Sequence, residues 1–459
     1  MNKVPSFMFT FRLKFCWVFA VVVAASVTAS GQRTLTLSQA INNAFSNRKN
    51  IQAGKSDLII RQLQTEALYR KYWPQVNAEY TYLYNPILQT SILPIGVFNP
   101  AYPADATKSI QFGTNWSQAA GVTVSQPLLD MSIHRQISES KLQERITAAT
   151  QAQTEYELAY TVAQVYFDIY LQQSKIQSTI ADTNRTWQSW QLLQNEFEQQ
   201  RLLKSALNKG KINHNNAVQL FRNAVSKMIE DKVYLLFLIG QNDIEYSDVV
   251  VDTSFLRRSR FDINNIQPKV SSIPELQALE LKGEMALLQT NTEKAKYLPT
   301  VSMKGYLGAN QFTNNFDPIA ANSWFGLSYV GLNVKYPLLF GEDKHRKVQQ
   351  YKVQATQYAQ QKDDKAAQYY KDAITAKIKV ELALTELKTQ QDNLSLSVET
   401  IGILQLRVAE GQESASALNI EEADLQKLNA DYESSKMQYW LSILNYLKAS
   451  GTLEILWKQ

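Results

Sequence analysis

The residues of this chain able to do chemistry are few: three histidines, one cysteine and short runs of carboxylates. His134, His214 and His345 form no metal-ligand or catalytic pattern, and no phosphate loop, nucleophile elbow or zinc motif is present. His134-Arg135 and His345-Arg346 recur at matching places just after predicted strands, where they serve a strand-to-helix junction. Cys16 is alone, which speaks against disulfide and thiol chemistry. Asp363-Asp364 and Glu421-Glu422 read as solvated helix faces. The expectation is a protein that is not an enzyme and has no catalytic, cofactor or metal site.

Function must then come from architecture, and the first residues supply an address. Lys3, Arg12 and Lys14 precede an apolar run over 15–25, and small residues lead to Ala29-Ser30-Gly31. That order predicts a secretory signal peptide, residues 1–31, cleaved near Gly31. A retained anchor is the alternative, but the run falls short of the ~20 residues that a spanning helix needs. Cys16 opens the run rather than following it, so a lipid anchor is disfavoured. Without residues 1–31 the 47 Lys+Arg fall by three to 44, against 42 Asp+Glu, a net charge of +2. That balance gives no reason to expect nucleic acid as a partner.

Proline placement predicts the scaffold. None occurs between Pro127 and Pro268 or after Pro337, in stretches rich in Ala, Gln, Leu, Glu and Lys. Proline costs a helix interior about 3 kcal/mol, so these stretches read as very long helices. At about 1.5 Å per residue, ~70 residues span on the order of 100 Å. The later chain has no apolar run long enough for a membrane-spanning helix, so any crossing must use strands.

The sequence repeats itself. Tyr72-Trp73-Pro74-Gln75-Val76 returns as Tyr297-Leu298-Pro299-Thr300-Val301, and Pro127-Leu128-Leu129 as Pro337-Leu338-Leu339. Ser205-Ala206-Leu207-Asn208 returns letter for letter as Ser416-Ala417-Leu418-Asn419, and Gly240 matches Gly451. From His134 and His345 onward the offset is constant, 345 minus 134, or 211. Residues 32–240 and 273–459 are therefore two copies of one unit, joined by a linker over 241–272. Each copy opens with a helix, 38–72 or 274–297, that stops at Tyr-x-Pro. Two alternating segments follow, 75–84 and about 116–126, then 300–310 and 328–336. Period two with one apolar side predicts strands wet on the other, among them Val330, Leu332 and Val334. Residues 85–115 read as a long Pro-rich loop. A long helix, a turn at 200–204 or 411–415, and a shorter returning helix complete each copy.

The second long helix carries a heptad track, Ala359, Ala366, Ala373, Val380, Leu387, Leu394, Ile401 and Val408. Subtracting 211 gives Ala148, Glu155, Val162, Ile169, Ile176, Thr183, Trp190 and Phe197. Such tracks predict supercoiled neighbours, and their mixed partner positions suit the wall of a tube better than a globular bundle. Four strands cannot close a barrel, whose smallest form has about 8. Either the hairpins are soluble or several protomers pool them. Tyr84, Trp116, Trp324, Tyr329 and Tyr336 would suit interfacial girdles of such a barrel.

This order of leader, duplicated helix–hairpin–long helix–turn–helix, Pro-Leu-Leu and Ser-Ala-Leu-Asn resembles the TolC-like outer-membrane efflux proteins over nearly the whole mature chain. The resemblance implies a mostly α fold with a small β part: long hairpins in a periplasmic α-barrel, and four strands per protomer in a shared trimeric β-barrel. It implies a passive exit duct of a tripartite efflux or type I secretion system. Its partners would be two further copies, outer-membrane lipid, a periplasmic adaptor and an inner-membrane pump. Gln200, Arg201, Leu202, Ser205, Leu207, Gly411, Ser416 and Leu418 fall at the tips, where an adaptor would dock, with Ser205 and Ser416 suited to cap the returning helices. Arg407, Glu410 and Glu413 are candidates for an entrance latch, with plain solvated turn charge as the competing reading. The chain departs from the family pattern at residues 199–203, which lack the tip glycine present as Gly411, and it lacks the lipid-anchor cysteine of many relatives. The rival is a periplasmic adaptor, but an adaptor has one long hairpin and this chain has two of matching length.

Overall fold

The computed structural model describes residues 33–98, 101, 103–241, 245–246, 249–252, 265–318, 324–338 and 342–458. The expected leader with Cys16, and Leu339, lie outside the described residues. The chain divides into two compact units. One takes in the described parts of Met1–Lys55, Thr150–Gln277 and Asp363–Gln459, and the other Ser56–Ala149 and Ala278–Lys362.

The long helices match their copies to the residue. α4 (Met131–Glu198) and α7 (Glu342–Ala409) have 68 residues each, and α5 (Lys204–Leu238) and α8 (Ala415–Ala449) have 35 each. α4 begins just beyond Pro127, where the Asp130 carboxylate accepts from the Ser132 amide (2.9 Å) and hydroxyl (2.6 Å).

The helix-rich unit is built on β1 (Arg33–Leu35), paired in parallel with β6 (Val249–Val251). β6 lies inside the expected linker, and Val249 and Val251 are buried in the main core, so this part of the linker is structural. α1 (Leu37–Asn47) starts with a capping box in which Thr36 and Gln39 satisfy each other's amides. Tyr166, fully buried, places its hydroxyl 2.9 Å from the Leu35 carbonyl and 2.6 Å from that of Asp252, tying α4 to both strands.

The strand-bearing unit contains a four-stranded antiparallel sheet in the order β2 (Gln75–Tyr84), β5 (Trp116–Leu129), β7 (Thr300–Thr313), β8 (Trp324–Lys335). β5 runs past its expected end at 126, and its register with β7 shifts between Pro127 and Leu129, a place where a strand tolerates proline. Residues 85–115 are not the plain loop expected. They hold a hairpin of β3 (Gln89–Leu93) and β4 (Lys108–Phe112), with one helical turn, α3 (Ile95–Phe98), between them. α2 (Lys49–Tyr69) and α6 (Pro274–Ala295) lead into the two copies' strands. Leu142, Ile146 and Met285 form the small core of this unit's helical part.

Candidate functional site

Cross-strand partners in an antiparallel sheet share a face, so the register sorts every side chain. One face carries Val76, Ala78, Tyr80, Tyr82 and Tyr84 from β2, and Trp116, Ala120, Val122 and Val124 from β5. It continues with Ala309, Leu307, Met303 and Val301 from β7, and Val330, Leu332 and Val334 from β8. Val330, Leu332 and Val334 are 80%, 69% and 64% exposed in the single chain. The opposite face carries Gln75, Asn77, Glu79, Thr81, Thr123, Ser125, Asn310, Lys304, Asn333 and Lys335, together with Tyr306 and Tyr329 and, toward the loops, Leu83, Phe312, Phe325 and Leu327. The first face is mainly apolar on all four strands, interrupted by Gln118, Gln126, Gln311 and Ser328, and the second is polar toward the helices and mixed toward the loops. β2 and β8 are its open edges.

The aromatics expected as a girdle divide between these faces. Trp116 stacks on Tyr82 (5.1 Å between centroids), lies 4.3 Å from Tyr84 and meets Phe316 at 5.0 Å, on the apolar side at the loop end of the sheet. Trp324 shares that face through its pairing with Gln311. Tyr329 does not: it pairs with Tyr306 on the polar side, and the two rings stack 5.7 Å apart. Strand parity, not nearness to an end, decides the side. Tyr336 lies just past β8 and is exposed.

In the helix-rich unit, the second copy's track is buried at Ala373, Val380, Ile401 and Val408 and half-buried at Leu387 and Leu394, with Ala376, Ala383 and Ser397 buried beside it. The first copy's track is fully buried at Val162 and Ile169 and shifts beyond them. Ile176, Thr183, Trp190 and Phe197 are only half-buried, and the buried stripe is Thr179, Asp182, Thr186, Ser189 and Leu193. Its polar groups explain the shift, because they find partners on α7 and α8. Asn429 donates to both Asp182 oxygens (2.9 and 2.7 Å), and Arg185 bridges Asp182 (2.8 Å) and Glu422. Ser189 donates to Glu422 (2.7 Å) and accepts from Gln405 (3.0 Å). Glu422 is 1% exposed, so the expectation of a solvated Glu421-Glu422 face fails for this residue. Asp363 and Asp364 are exposed as expected.

Both tips reverse through the same cap. Arg201 N donates to Glu196 O (2.9 Å) and Gln200 N to Phe197 O (2.9 Å), and Gln412 N to Arg407 O (2.8 Å) and Gly411 N to Val408 O (3.0 Å). This is a Schellman closure with its left-handed residue at Gly411 (φ 72°) and, without a glycine, at Gln200 (φ 60°). The expected serine caps are corrected. Ser414, not Ser416, caps α8 through the Ala417 amide (3.2 Å), and Leu203 precedes α5 with no side-chain cap. Ser205 and Ser416 sit inside the first turns, two residues past the true cap positions.

Arg201, Leu202, Glu413, Gly411 and Ser416 line one cleft of about 430 Å³ between the tips. Gln200, Ser205 and Leu207 lie beside it on the first hairpin, Gln200 and Ser205 exposed and Leu207 half-buried. Leu418 is fully buried with Ile401, Val408 and Leu425, so it holds the hairpin together rather than facing a partner. Arg407 and Glu410 are exposed, and Glu413 accepts from the Ser414 amide (3.1 Å). Among the described residues no ion pair joins these three.

Burial shapes the charges deeper in the same unit. Asp168 is pushed up to about 6 by burial first and by the nearby Asp231 second, against the pull of Lys227. Glu433 is raised by burial, partly offset by Lys436 at 2.6 Å. His214 packs on Trp187 and is lowered by burial and then by Lys211. Among the described residues no group of three or more His, Cys, Asp or Glu could hold a metal ion.

No family model and no curated relative matches the chain. Solved structures do. CusC, described as forming a transmembrane channel, matches at 13% identity and TM-score 0.70 over 91% of each chain. The outer membrane protein VceC of Vibrio cholerae matches at 11% identity and TM-score 0.70, over 90% of this chain and 96% of that one. The outer-membrane channel MtrE of Neisseria gonorrhoeae matches at 14% identity and TM-score 0.68, over 91% and 89%. The chain has the fold of these outer-membrane channels, which is the fold that the TolC-like resemblance implied.

Proposed function

We propose that this chain is one protomer of an outer-membrane channel of a diderm bacterium, with its helical part in the periplasm. The mainly apolar face across β2, β5, β7 and β8 carries the reading. An apolar sheet face this wide needs lipid or protein against it, and the two open edges need partners, because unpaired backbone cannot face lipid. Among the described residues no helix is long and apolar enough to cross a membrane, so the strands are the spanning part. Four strands close nothing alone; three copies supply twelve, within the range of natural barrels. Val330, Leu332 and Val334 then face lipid and the polar side lines water.

The protein works as a passive conduit in an efflux or secretion assembly powered by an inner-membrane pump. Gln200, Arg201, Leu202, Ser205, Leu207, Gly411 and Ser416 form the surface offered to a periplasmic adaptor. Arg407 and Glu410, unpaired in the single chain, and Glu413 latch the entrance across neighbouring copies. Neutralising the three together should raise single-channel conductance at unchanged trimer yield; unchanged conductance would leave them as turn charges.

The face assignment has its own test. Leu332→Arg should cost ~2–4 kcal/mol near the membrane midplane and cut the amount of assembled trimer, while Asn333→Arg should assemble normally. The reverse order would invert the faces.

A further inference from the structure

Five glycines lie in the four-stranded sheet, and two of them are covered. A Cβ on Gly326 or Gly331 would meet nothing within 4 Å, and one on Gly305 would make only ordinary contacts. Gly121 and Gly308 are direct cross-strand partners on the polar face. A Cβ on Gly121 would lie 2.5 Å from the Cζ and Oη atoms of Tyr306, and one on Gly308 would lie 2.5 Å from the same Oη. The Tyr306 ring therefore lies down on the bare backbone of both strands, held from the side by its stack with Tyr329. A glycine weakens a strand interior, and an opposed pair calls for a reason.

We propose that the Gly121–Gly308 pair is a recess that parks Tyr306 flat against the channel wall and so sets the size limit for cargo passing through the barrel. The inference rests on the channel reading, which turns the polar face inward. Barrels of about 8 strands are filled by their own side chains and those of 16–18 hold an open aqueous channel. Twelve pooled strands fall between, where three inward tyrosines, one per copy, decide how much of the lumen stays open. With the recess filled, the ring has one free direction, into the lumen. Gly121 is the position to fill, because its nearest contacts are all the far end of the Tyr306 side chain, whereas a Cβ on Gly308 would also strike the Ala120 carbonyl at 2.5 Å.

Cys16, the chain's one cysteine, falls in the expected leader, so an introduced cysteine labels alone. Asn333→Cys sits on the polar face of β8, toward the helices from Tyr329. In intact cells it is treated from outside with a small sulfonated methanethiosulfonate and, separately, with a bulky sulfonated dye maleimide. Adding Gly121→Ala should slow the bulky reagent severalfold and leave the small one unchanged, and further adding Tyr306→Ala should restore the bulky rate. Tyr306→Ala without Gly121→Ala should change neither rate, because a parked ring takes up no lumen. An unchanged bulky rate in Gly121→Ala, a double variant that stays slow, or a faster bulky rate in Tyr306→Ala alone would each overturn the recess while leaving the channel standing. If Asn333→Cys resists even the small reagent, the polar face is not a water-filled lumen and the channel reading falls with the recess.

Discussion

The helical hairpins of the two copies agree in length to the residue and differ in what holds them. In the second copy the seam of α7 is apolar except at Ser397, Ile401 and Val408 close on Leu418 and Leu425, a glycine takes the left-handed position and a serine caps the return. In the first copy the seam of α4 is apolar up to Leu171 and turns polar at Thr179, Asp182, Thr186 and Ser189, Gln200 takes the left-handed position and Leu203 offers no cap. The backbone plan survived duplication and the chemistry diverged. An apolar seam tolerates sliding; a polar seam is satisfied only when Arg185, Asn429 and Glu422 stand opposite their partners. The polar contacts of the first hairpin thus fix its register.

The largest test of that difference is Arg185→Ala. Removing the guanidinium leaves Asp182 and Glu422 buried without their counter-charge, a change worth ~3–5 kcal/mol, read as a large fall in the unfolding temperature of the purified protein. A loss no larger than that of an exposed lysine would show that the polar seam carries little. Next is Gln200→Gly, which should stabilise by about 1 kcal/mol, because the left-handed conformation costs an L-residue ~1–2 kcal/mol and glycine gives some of this back in entropy. Gly411→Ala should move stability the other way. Ser414→Ala should cost about 1 kcal/mol, while Ser205→Ala and Ser416→Ala, inside their helices, should be nearly silent in the same melting assay.

A further difference is the pH dependence of one first-copy carboxylate. Asp168, raised to about 6 from its usual 3.8, has no carboxylate counterpart, since Lys379 holds the position 211 residues on. Below about pH 4 the folded and unfolded chains both hold this proton. Between about 4 and 6 only the folded chain keeps it, so this group's contribution to stability falls as pH rises through that window and is level above it. Asp168→Asn should remove the fall, raising stability at pH 7 and leaving it unchanged near pH 3.5. A melting curve series across pH that is parallel for both proteins would refute the assignment.

Much of this was legible in the sequence, because helix-breaking prolines, strand parity and an exact internal offset are local signals. The duplicated helices, the first residues of β2, β5 and β7, and the equivalence of Gly240 and Gly451 all follow from them. What escaped depends on partners far along the chain. Glu422 reads as a surface charge until Arg185 is found opposite it, and the first copy's seam is hidden because its buried residues are polar. β3 and β4 are five residues each among prolines, too short for alternation to stand out. Nearness to a strand end misplaces Tyr329, and its alternation against Val330, Leu332 and Val334 is the better guide. Ser205 and Ser416 drew attention by repeating, yet the residue that caps is the one before the helix, and Ser414 has no serine at its equivalent, Leu203. The recess at Gly121 and Gly308 had a signal in two strand glycines, but only the register makes them partners.

The central claim, that copies pool their strands to build one barrel in the outer membrane, is tested most directly by native mass measurement of the wild-type protein after membrane fractionation. The account predicts recovery from the outer-membrane fraction only with detergent, at the mass of three mature chains. A monomer that stays in solution after export, without detergent, would contradict it.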